Sequence, residues 1–253
     1  MHWIRGFSSL LWRLWFIVIN IVLVPFCGGI SIPFLFKEKY YPLAYRLHRL
    51  WGVGNLSLMG IVYKVKKETR LSKDQPYIVL SNHTSVMDIM LLYALVSRHA
   101  MVFIGKSELS KIPVFGYVYR KSNILVDRKS RISGTHALKE AKIKIDLGRS
   151  ICIFPEGGVP KTSNMLAHFK GGAFALAIEK QIPLLLFSVY GMKQRFPYNF
   201  FRGGPGKVYV RRHAPISTKG MTLSDKDALK EKCYRIIENQ LKDFARKNRD
   251  VGF

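Results

Sequence analysis

The chain has 253 residues and a mass of 29.1 kDa, which suffices for one α/β domain with a hydrophobic core and a short additional segment. Hydrophobic residues make up 48% of it, aromatic residues 13%, and the mean hydropathy is +0.05, which excludes a disordered chain, a collagen-like repeat and an all-polar scaffold. The 41 Lys and Arg residues exceed the 16 Asp and Glu residues by 25, so we expect an anionic partner: nucleic acid, anionic lipid headgroups or a phosphorylated substrate.

The three cysteines are Cys27, Cys152 and Cys233. They are odd in number, widely spaced, and form no C-x-x-C pair. This spacing supports neither a disulfide framework nor a structural zinc site. We expect the cysteines to be reduced and mostly buried.

The first predicted element is an uncharged apolar run over residues 14–36. Its length would allow it to span a bilayer, since about 20 apolar residues suffice. Pro25 and Pro33, together with Gly28 and Gly29, interrupt its second half and argue against one straight helix. The broken pattern favours a helical hairpin lying in one leaflet, although the length leaves a crossing helix open.

Aromatic and basic residues flank this run. The aromatic ones are Trp3, Phe7, Trp12 and Trp15, and the basic ones that follow are Lys37, Lys39, Arg46 and Arg49. The aromatic residues resemble an interfacial belt, which favours a membrane segment over an ordinary buried helix, and no small-x-small site supports a cleaved signal peptide. Positive charges favour the cytoplasmic side. We therefore expect residues 1–60 to form a membrane-anchoring helical segment and residues 61–253 a domain on the cytoplasmic face of the cell inner membrane.

Beyond residue 60, short β-rich runs alternate with helical stretches. The predicted strands are 61–65, 77–81, 101–104, 123–126, 150–154, 183–189 and 207–211, and the predicted helices between them are 86–96, 134–147 and 170–179. This alternation predicts an α/β fold, with a single layered mixed sheet and flanking helices, preceded by the N-terminal hydrophobic helical anchor.

The last predicted element is an amphipathic helix. Ser224, with Asp227 three residues later, resembles a capping box at its start. The apolar residues that recur at helical spacing are Leu229, Cys233, Ile236, Ile237, Leu241 and Phe244. This stripe predicts core packing. The residues expected to face water or lipid headgroups are Lys230, Lys232, Arg235 and Lys242.

The candidate chemistry follows the apolar strand that ends at residue 81. The next residues read N-H-T-S-V-M-D, with His83 at the strand exit and Asp88 near a helix start. A tight turn can bring the carboxylate to one imidazole nitrogen, which leaves the other nitrogen free as a general base. Taken alone, the pair is equally compatible with a structural turn.

The complete N-H-x-S-x-x-D string after an apolar strand resembles the first motif of the glycerolipid acyltransferases, specifically the 1-acylglycerol-3-phosphate (lysophosphatidate) acyltransferase family. Further blocks follow in the order of that family. The second comprises residues 105–109, 112–113, 116 and 126–128, the third residues 154–158, and the continuation and fourth residues 169–170, 172–173 and 182–183. Together the blocks cover about residues 75–190, and four blocks in order are far more specific than one.

The resemblance implies a role for each matching residue. His83 would be the general base that activates the acceptor hydroxyl to attack the thioester of an acyl carrier, and Asp88 would orient it. No covalent acyl-enzyme is needed, so Ser85 is expected to have a turn or capping role. The substrate-binding candidates are Lys106, Arg128, Glu156, Gly157, Gly158 and Lys170.

Among these candidates, Arg128 offers a planar fork and Lys106 a point charge for the acceptor phosphate, with Lys170 as a third cation. The glycines after Glu156 permit close backbone approach, and their N–H groups could cradle a phosphate or an oxyanion. Without the resemblance, each cation would be read as a solvated charge and the Glu-Gly-Gly segment as a turn.

The chain departs from the commoner family pattern, in which Thr and then Arg follow the Glu-Gly pair. Here Gly158 and Val159 occupy those positions, which removes one expected phosphate ligand. Lys161 or Lys170 is expected to substitute for it. The departure leaves the acceptor more open than the reaction type.

The leading hypothesis is a membrane-bound O-acyltransferase of phospholipid biosynthesis that acylates the sn-2 hydroxyl of 1-acylglycerol 3-phosphate to give phosphatidate. Acyl-ACP (acyl carrier protein) or acyl-CoA (coenzyme A thioester) would be the co-substrate, with no cofactor and no metal. The expected partners are an anionic phospholipid membrane, lysophosphatidate and the acyl donor, with no nucleic acid. Glycerol 3-phosphate or another lysolipid remains an alternative acceptor.

A hypothesis of another class is a non-catalytic basic module that binds nucleic acid or membrane. The net charge of +25 and the aromatic and basic stretch over residues 201–213 support it. It leaves the N-H-x-S-x-x-D string and the apolar N-terminus unexplained.

Overall fold

The computed structural model of the chain describes residues 2–72, 75–160 and 165–248, with side chains from Gly6 onward. The Trp3 side chain and the candidate phosphate ligand Lys161 lie outside these described parts.

The N-terminal region folds as a helical hairpin. Its two long helices are α1 (His2–Leu23) and α2 (Tyr41–Leu58). Between them lie a π-helical turn at Val24–Gly29, which contains Pro25, and 3₁₀ turns at Ile32–Leu35 and Glu38–Tyr40. The expected interruption of the apolar run is therefore confirmed, whereas α2 was missing from the sequence predictions.

Side-chain hydrogen bonds show that the two helices run antiparallel. Trp12 Nε1 donates to the carbonyl of Met59 at 3.1 Å, near the open end of the hairpin. Asn20 Nδ2 donates to Asn55 Oδ1 at 2.8 Å, closer to the connection. The apolar stretch Gly6–Gly29 is long enough to cross a membrane and has a mean hydropathy of 2.1.

One seven-stranded mixed sheet forms the centre of the molecule. Its strands are β1 (Ile61–Lys67), β2 (Ile78–Ser81), β3 (Met101–Lys106), β4 (Ile124–Val126), β5 (Ser150–Ile153), β6 (Leu184–Tyr190) and β7 (Gly206–Arg212). They lie in the order β1-β7-β6-β2-β5-β3-β4. The five strands β2 to β6 are parallel, while β7 is antiparallel to β6 and pairs in parallel with β1. The predicted fold class is confirmed.

Helices connect and cover the strands. They are α3 (Met87–Leu95), α4 (Phe115–Ser122), α5 (Arg131–Asp146), α6 (Gly172–Glu179), α7 (Met192–Arg195) and α8 (Lys226–Lys247). The predicted helices correspond to α3, α5, α6 and α8, and α4 and α7 were not predicted.

Helix α2 joins the hairpin to the sheet. Tyr41 and Tyr45 are buried, and Tyr41 Oη donates to the carbonyls of Met101 and Ser122, at 3.0 Å each. At Gly52, a Cβ atom would lie 2.8 Å from the carbonyl oxygen of Met90 in α3, so only glycine permits this approach. The hairpin and the sheet thus share one core, and α2 fixes α3 in place.

The start of the last helix differs from the predicted Ser224 and Asp227 pair. The capping box is formed by Thr222 and Asp225, whose Oδ2 accepts from the Thr222 N–H at 2.7 Å. A 3₁₀ turn precedes α8 and shifts the cap by two residues, while Asp227 instead pairs with Lys230. The predicted core stripe is confirmed, because Leu229, Cys233, Ile237 and Leu241 are buried.

Candidate active site

The first motif leaves the sheet at the carboxyl end of β2, between β5 and β6. Asn82 acts there as a clamp, because its Nδ2 donates to the carbonyl of Val189 and its Oδ1 accepts from the Val189 N–H, both at 2.8 Å. This pair of bonds extends the β2–β6 ladder with a side-chain amide. The chain then turns away from the sheet at His83.

The structure brings His83 and Asp88 together as predicted. Asp88 lies in the first turn of α3 and is fully buried, and its Oδ2 accepts from His83 Nδ1 at 3.0 Å. The same oxygen accepts from the backbone N–H groups of Thr84 at 2.6 Å and Ser85 at 2.8 Å. The carboxylate is thus fixed by the backbone of its own turn, and it holds Nδ1 as the protonated nitrogen. Nε2 is left as the basic nitrogen.

The imidazole ring of His83 is stacked on the ring of Phe154, with centroids 3.9 Å apart and an interplanar angle of 14°. Only 6% of the residue is exposed, which limits the ring to one orientation. Ser85 has the capping role expected of it: its Oγ accepts from the Met87 N–H at 3.3 Å and donates to the carbonyl of Phe196 at 2.7 Å.

Glu156 supports the catalytic turn from the other side. Its Oε1 accepts from the backbone N–H of His83 and its Oε2 from that of Ala167, both at 2.7 Å. Burial raises the pKa of Glu156 to about 7 against the opposing effect of these two hydrogen bonds, and the nearby Asp88 charge adds to the rise. Both oxygens of this substrate-binding candidate are therefore engaged with backbone in the structure.

The two glycines that follow Glu156 make room for two cations. Gly157 has φ of +76°, and a Cβ atom there would lie 2.8 Å from Lys170 Nζ. A Cβ atom on Gly158 would lie 3.1 Å from Arg128 Nη1. Arg128 and Lys170 thus converge on adjacent backbone positions, and within residues 2–72, 75–160 and 165–248 neither forms an ion pair.

The predicted backbone cradle is only partly available. The Gly157 N–H donates to the carbonyl of Phe154 at 3.0 Å, which closes the turn. The Gly158 N–H has no hydrogen-bond partner among the described residues, so it is the free backbone donor beside Arg128.

Lys106 lies at the rim. Its ammonium is 3.1 Å from Glu108 Oε1, and both side chains are about half exposed. Tyr119 connects this rim to the glycine turn: burial raises its pKa to about 12, the Arg128 charge lowers it and the Glu108 charge raises it. Tyr119 Oη donates to the carbonyl of Lys106 at 3.3 Å, and Arg128 is the residue of the second sequence block that lies beside Gly158.

The supporting residues carry weaker signals in the sequence. Asn82 and Phe154 stood inside the motifs without an assigned role, and only the fold reveals their partners. His213 lies between Ser188 Oγ at 2.9 Å and Glu68 Oε1 at 3.2 Å, but Ser188 is fully buried in β6, and Glu68 and His213 follow the ends of β1 and β7, which run opposite to β6.

Comparison with known proteins agrees with this geometry. The sequence model described as Acyltransferase matches residues 62–189, which is half of the chain. The chain belongs to the Acyltransferase family. The family resemblance drawn from the motifs is thereby confirmed, and the protein is an enzyme of this family.

Individual relatives extend the match beyond this segment. Human 1-acyl-sn-glycerol-3-phosphate acyltransferase beta is 27% identical over 76% of this chain and 69% of its own length. A 1-acyl-sn-glycerol-3-phosphate acyltransferase of Cocos nucifera is 31% identical over 56% of this chain, which spans only 46% of that relative. The crystal structure of the 1-acyl-sn-glycerophosphate acyltransferase PlsC from Thermotoga maritima has a TM-score of 0.78 at 26% identity, covering 96% of this chain and 98% of its own.

Proposed function

We propose that the protein transfers a fatty acyl group from an acyl-ACP or acyl-CoA thioester to the sn-2 hydroxyl of 1-acylglycerol 3-phosphate, giving phosphatidate for phospholipid biosynthesis. The observation that carries the proposal is the buried His83–Asp88 pair on one side of a glycine turn that Arg128 and Lys170 approach. The printed names of the relatives name the same acceptor.

The proposed mechanism needs one base and no covalent enzyme intermediate. Asp88 Oδ2 holds the Nδ1 proton of His83, and the free Nε2 takes the proton of the acceptor hydroxyl as its oxygen attacks the thioester carbonyl. The new C–O bond forms and the C–S bond breaks. The imidazolium then returns its proton to the departing thiolate, so that protons and charge balance over one turnover.

The acceptor phosphate is proposed to lie between Arg128 and Lys170. The Arg128 fork can form two parallel hydrogen bonds to phosphate oxygens, and the Gly158 N–H adds a third donor. Lys170 supplies a second cation beside the turn whose Val159 occupies the arginine position of the commoner family pattern, which supports a phosphorylated acceptor. We propose Lys106 as a further phosphate-binding cation at the rim of the site, where its ammonium forms an ion pair with Glu108.

Residues 1–60 are proposed to attach the enzyme to a membrane. From Phe7 onward the outward face of α1 is largely apolar; its most exposed large apolar side chains are Phe7, Leu11, Leu14, Ile17, Val18, Ile21 and Val22. The opposite face, with Ser9, Arg13 and Ile19, is buried against the rest of the molecule. A helix packed on its own domain in this way supports a hairpin lying in one leaflet. The basic residues after the hairpin support the cytoplasmic face of the inner membrane.

The alternative of a nucleic-acid-binding module has less support. Residues 206–212 of the aromatic and basic stretch form β7, which is paired on both edges with β1 and β6. Tyr209, the aromatic side chain of this strand, packs near Phe244 of α8 with ring centroids 6.1 Å apart, so it does not offer an open platform for stacking bases. A different acceptor remains the second candidate, because Gly158 and Val159 alter the turn beside the proposed phosphate site.

An acceptor panel with products identified by mass tests the proposal. Purified enzyme in mixed micelles would receive lysophosphatidate, glycerol 3-phosphate or a lysolipid without a terminal phosphate, each with acyl-ACP or acyl-CoA. We expect phosphatidate from lysophosphatidate as the dominant product. Acylation of glycerol 3-phosphate alone would reassign the acceptor, and no acylated product from folded enzyme would overturn the function.

A further inference from the structure

A short loop after α7 displays an unusual run of aromatic side chains. Residues 196–205 read FPYNFFRGGP, and we name this segment the aromatic loop. Tyr198 is 64% exposed, Phe200 60% and Phe201 65%. Single exposed apolar residues are common on protein surfaces. Three large exposed aromatic rings within four positions form an apolar patch, which is typical of an interaction site.

The aromatic loop is firmly held by α1. Arg13 is 5% exposed, and its Nη2 donates to the carbonyls of Pro197, of Asn199 at 2.8 Å and of Arg202 at 3.1 Å. Its guanidinium also lies over the ring of Phe200, 5.1 Å from the centroid. A charged residue within an apolar helix is thus explained by the loop, whose backbone carbonyls it satisfies.

The base of the loop adjoins the catalytic turn. Phe196 is buried, its carbonyl accepts from Ser85 Oγ at 2.7 Å, and its ring packs on Trp12 and Phe16 with centroids 5.5 Å and 4.8 Å apart. The position of the loop is therefore coupled to the motif that carries His83 and Asp88.

The tip of the loop continues the apolar face of α1. A Cβ atom on Gly6 would lie 3.9 Å from Phe201 Cβ, which places Phe201 beside the first turns of the helix. The exposed rings of Phe200 and Phe201 and the exposed face of α1 thus adjoin. Arg202 follows them in the chain, and its charge suits anionic headgroups at the same level.

We propose that the aromatic loop is a second lipid-contact element, which inserts Phe200 and Phe201 into the interfacial layer of an anionic phospholipid bilayer. A lipid surface is the partner because aromatic rings favour the interface between headgroups and acyl chains, and because the patch is continuous with α1. The loop holds the catalytic turn at the lipid surface. This inference rests on the proposed membrane attachment of α1.

A fluorescent probe at the loop tip tests the insertion directly. Phe201→Cys would be labelled with an environment-sensitive dye; Cys27, Cys152 and Cys233 are buried and are expected to stay unlabelled. The probe is added to vesicles of phosphatidylethanolamine and phosphatidylglycerol, with and without a lipid-borne spin-label quencher. We expect a blue shift and quenching. The matched control is Ser217→Cys, an exposed position beside the start of β6, whereas the aromatic loop follows the other end of that strand, and its emission should not change.

Vesicle flotation measures the contribution of the two rings. The double variant Phe200→Ser/Phe201→Ser should bind the same vesicles roughly tenfold more weakly, since two aromatic side chains no longer leave water. Leu223→Ser, at an exposed apolar residue in the turn before α8, should bind as the wild type does. Near-UV circular dichroism shows whether each variant remains folded.

The outcomes separate the loop from the attachment on which it rests. If Leu14→Ser/Val18→Ser releases the protein from vesicles while the probe at residue 201 stays in water, the attachment stands and the loop proposal fails. If the wild type binds no vesicles, both fail. A blue shift that grows with protein concentration without vesicles, and that no lipid-borne quencher reduces, assigns the patch to contacts between copies of the chain and overturns the proposal.

Discussion

Asp88 Oδ2 accepts three hydrogen bonds, and only one of them comes from the imidazole. The backbone amides of Thr84 and Ser85 fix the carboxylate independently of the imidazole, so His83 is oriented by an acceptor that is already held in place. Phe154 then sets the plane of the ring. The free nitrogen of His83 therefore points in a direction that the fold determines.

His83→Ala removes the proposed base and should lower kcat for acyl transfer by about 10²- to 10⁴-fold. Asp88→Asn should also lower kcat, because a neutral amide cannot stabilise the imidazolium that forms on His83 as the carboxylate does. Steady-state kinetics with lysophosphatidate measures both effects, and the thermal unfolding midpoint of each variant serves as the folding control. A His83→Ala enzyme with wild-type turnover would contradict the mechanism.

Glu156→Gln tests the support beneath the catalytic turn. A glutamine offers one acceptor oxygen for the two amides of His83 and Ala167, so the variant should lose about 1–3 kcal/mol of unfolding free energy at acidic pH. Denaturant titration followed by tryptophan fluorescence measures this loss. A Gln variant of unchanged stability and activity would show that the bridge is dispensable.

The difference in unfolding free energy between the wild type and Glu156→Gln should depend on pH with a defined sign. The native pKa of about 7 lies above the ordinary value of 4.5, so the folded chain binds this proton more tightly than the unfolded chain does. The stabilisation is complete below 4.5 and is lost as pH rises through about 7. The stability advantage of wild type over Glu156→Gln should therefore shrink across that interval, and an advantage that grows would contradict the raised pKa.

The two cations at the glycine turn should act on acceptor binding. Arg128→Ala and Lys170→Ala should each raise the KM for lysophosphatidate by roughly tenfold or more with a smaller change in kcat, because a charge-assisted hydrogen bond to phosphate is lost. Arg128→Lys should recover part of the effect. The matched control is Lys139→Ala on the exposed side of α5. An unchanged KM in both cation variants would place the phosphate elsewhere.

For individual residues, the sequence predicts side-chain pairs whose two members are close along the chain. His83 and Asp88 are five residues apart, so one turn can join them. Glu156 is 73 residues from His83 and bonds to its backbone, which any residue type provides. No residue pattern identifies such a partner, and only the adjacency of β2 and β5 in the sheet brings the two together.

Among the elements, α1 holds the aromatic loop mainly through Arg13. Arg13→Leu removes three charge-assisted hydrogen bonds and leaves the carbonyls of Pro197 and Arg202 without this donor, which should lower the unfolding free energy by about 2–3 kcal/mol. The released loop should also be cut faster by trypsin after Arg202, as mapped by mass spectrometry. Lys139→Leu removes an exposed charge and should change neither quantity. A loop that stays protected in the Arg13 variant would show that other contacts hold it.

The elements themselves were unequally predictable. The seven strands were found because buried, β-branched runs alternate with polar turns throughout the domain. Helix α2 was not, because Gly52 and Gly54 weaken its helical pattern, and Gly52 serves the packing against Met90 in α3. The cap of α8 was displaced because Thr222 and Ser224 are both acceptable caps, and the 3₁₀ turn that decides between them is set by tertiary contacts.

For the whole molecule, the shared core links the helical hairpin to the turn that carries His83 and Asp88. Helix α2 packs on α3, which carries Asp88, and α1 holds the aromatic loop, which bonds to Ser85. Both halves of the hairpin thus contact an element of the catalytic turn. A proposed attachment through the outer face of α1 would place that turn at the lipid surface without any further domain.

The net charge of +25 gives this attachment a measurable electrostatic part. Surface charges are screened beyond roughly 10 Å at 0.1 M salt, whereas burial of apolar rings is not weakened by salt. Binding to phosphatidylglycerol-containing vesicles should therefore fall by roughly tenfold or more between about 0.05 M and about 0.5 M salt and then level off at a residual affinity. Vesicles of phosphatidylcholine alone should show only that residual affinity, with little dependence on salt. The Phe200→Ser/Phe201→Ser variant should lower the residual part by roughly tenfold and keep the salt-dependent part, because it removes two rings and no charge while the apolar face of α1 remains. Equal loss of both parts would mean that charge and apolar face do not act as separate contributions.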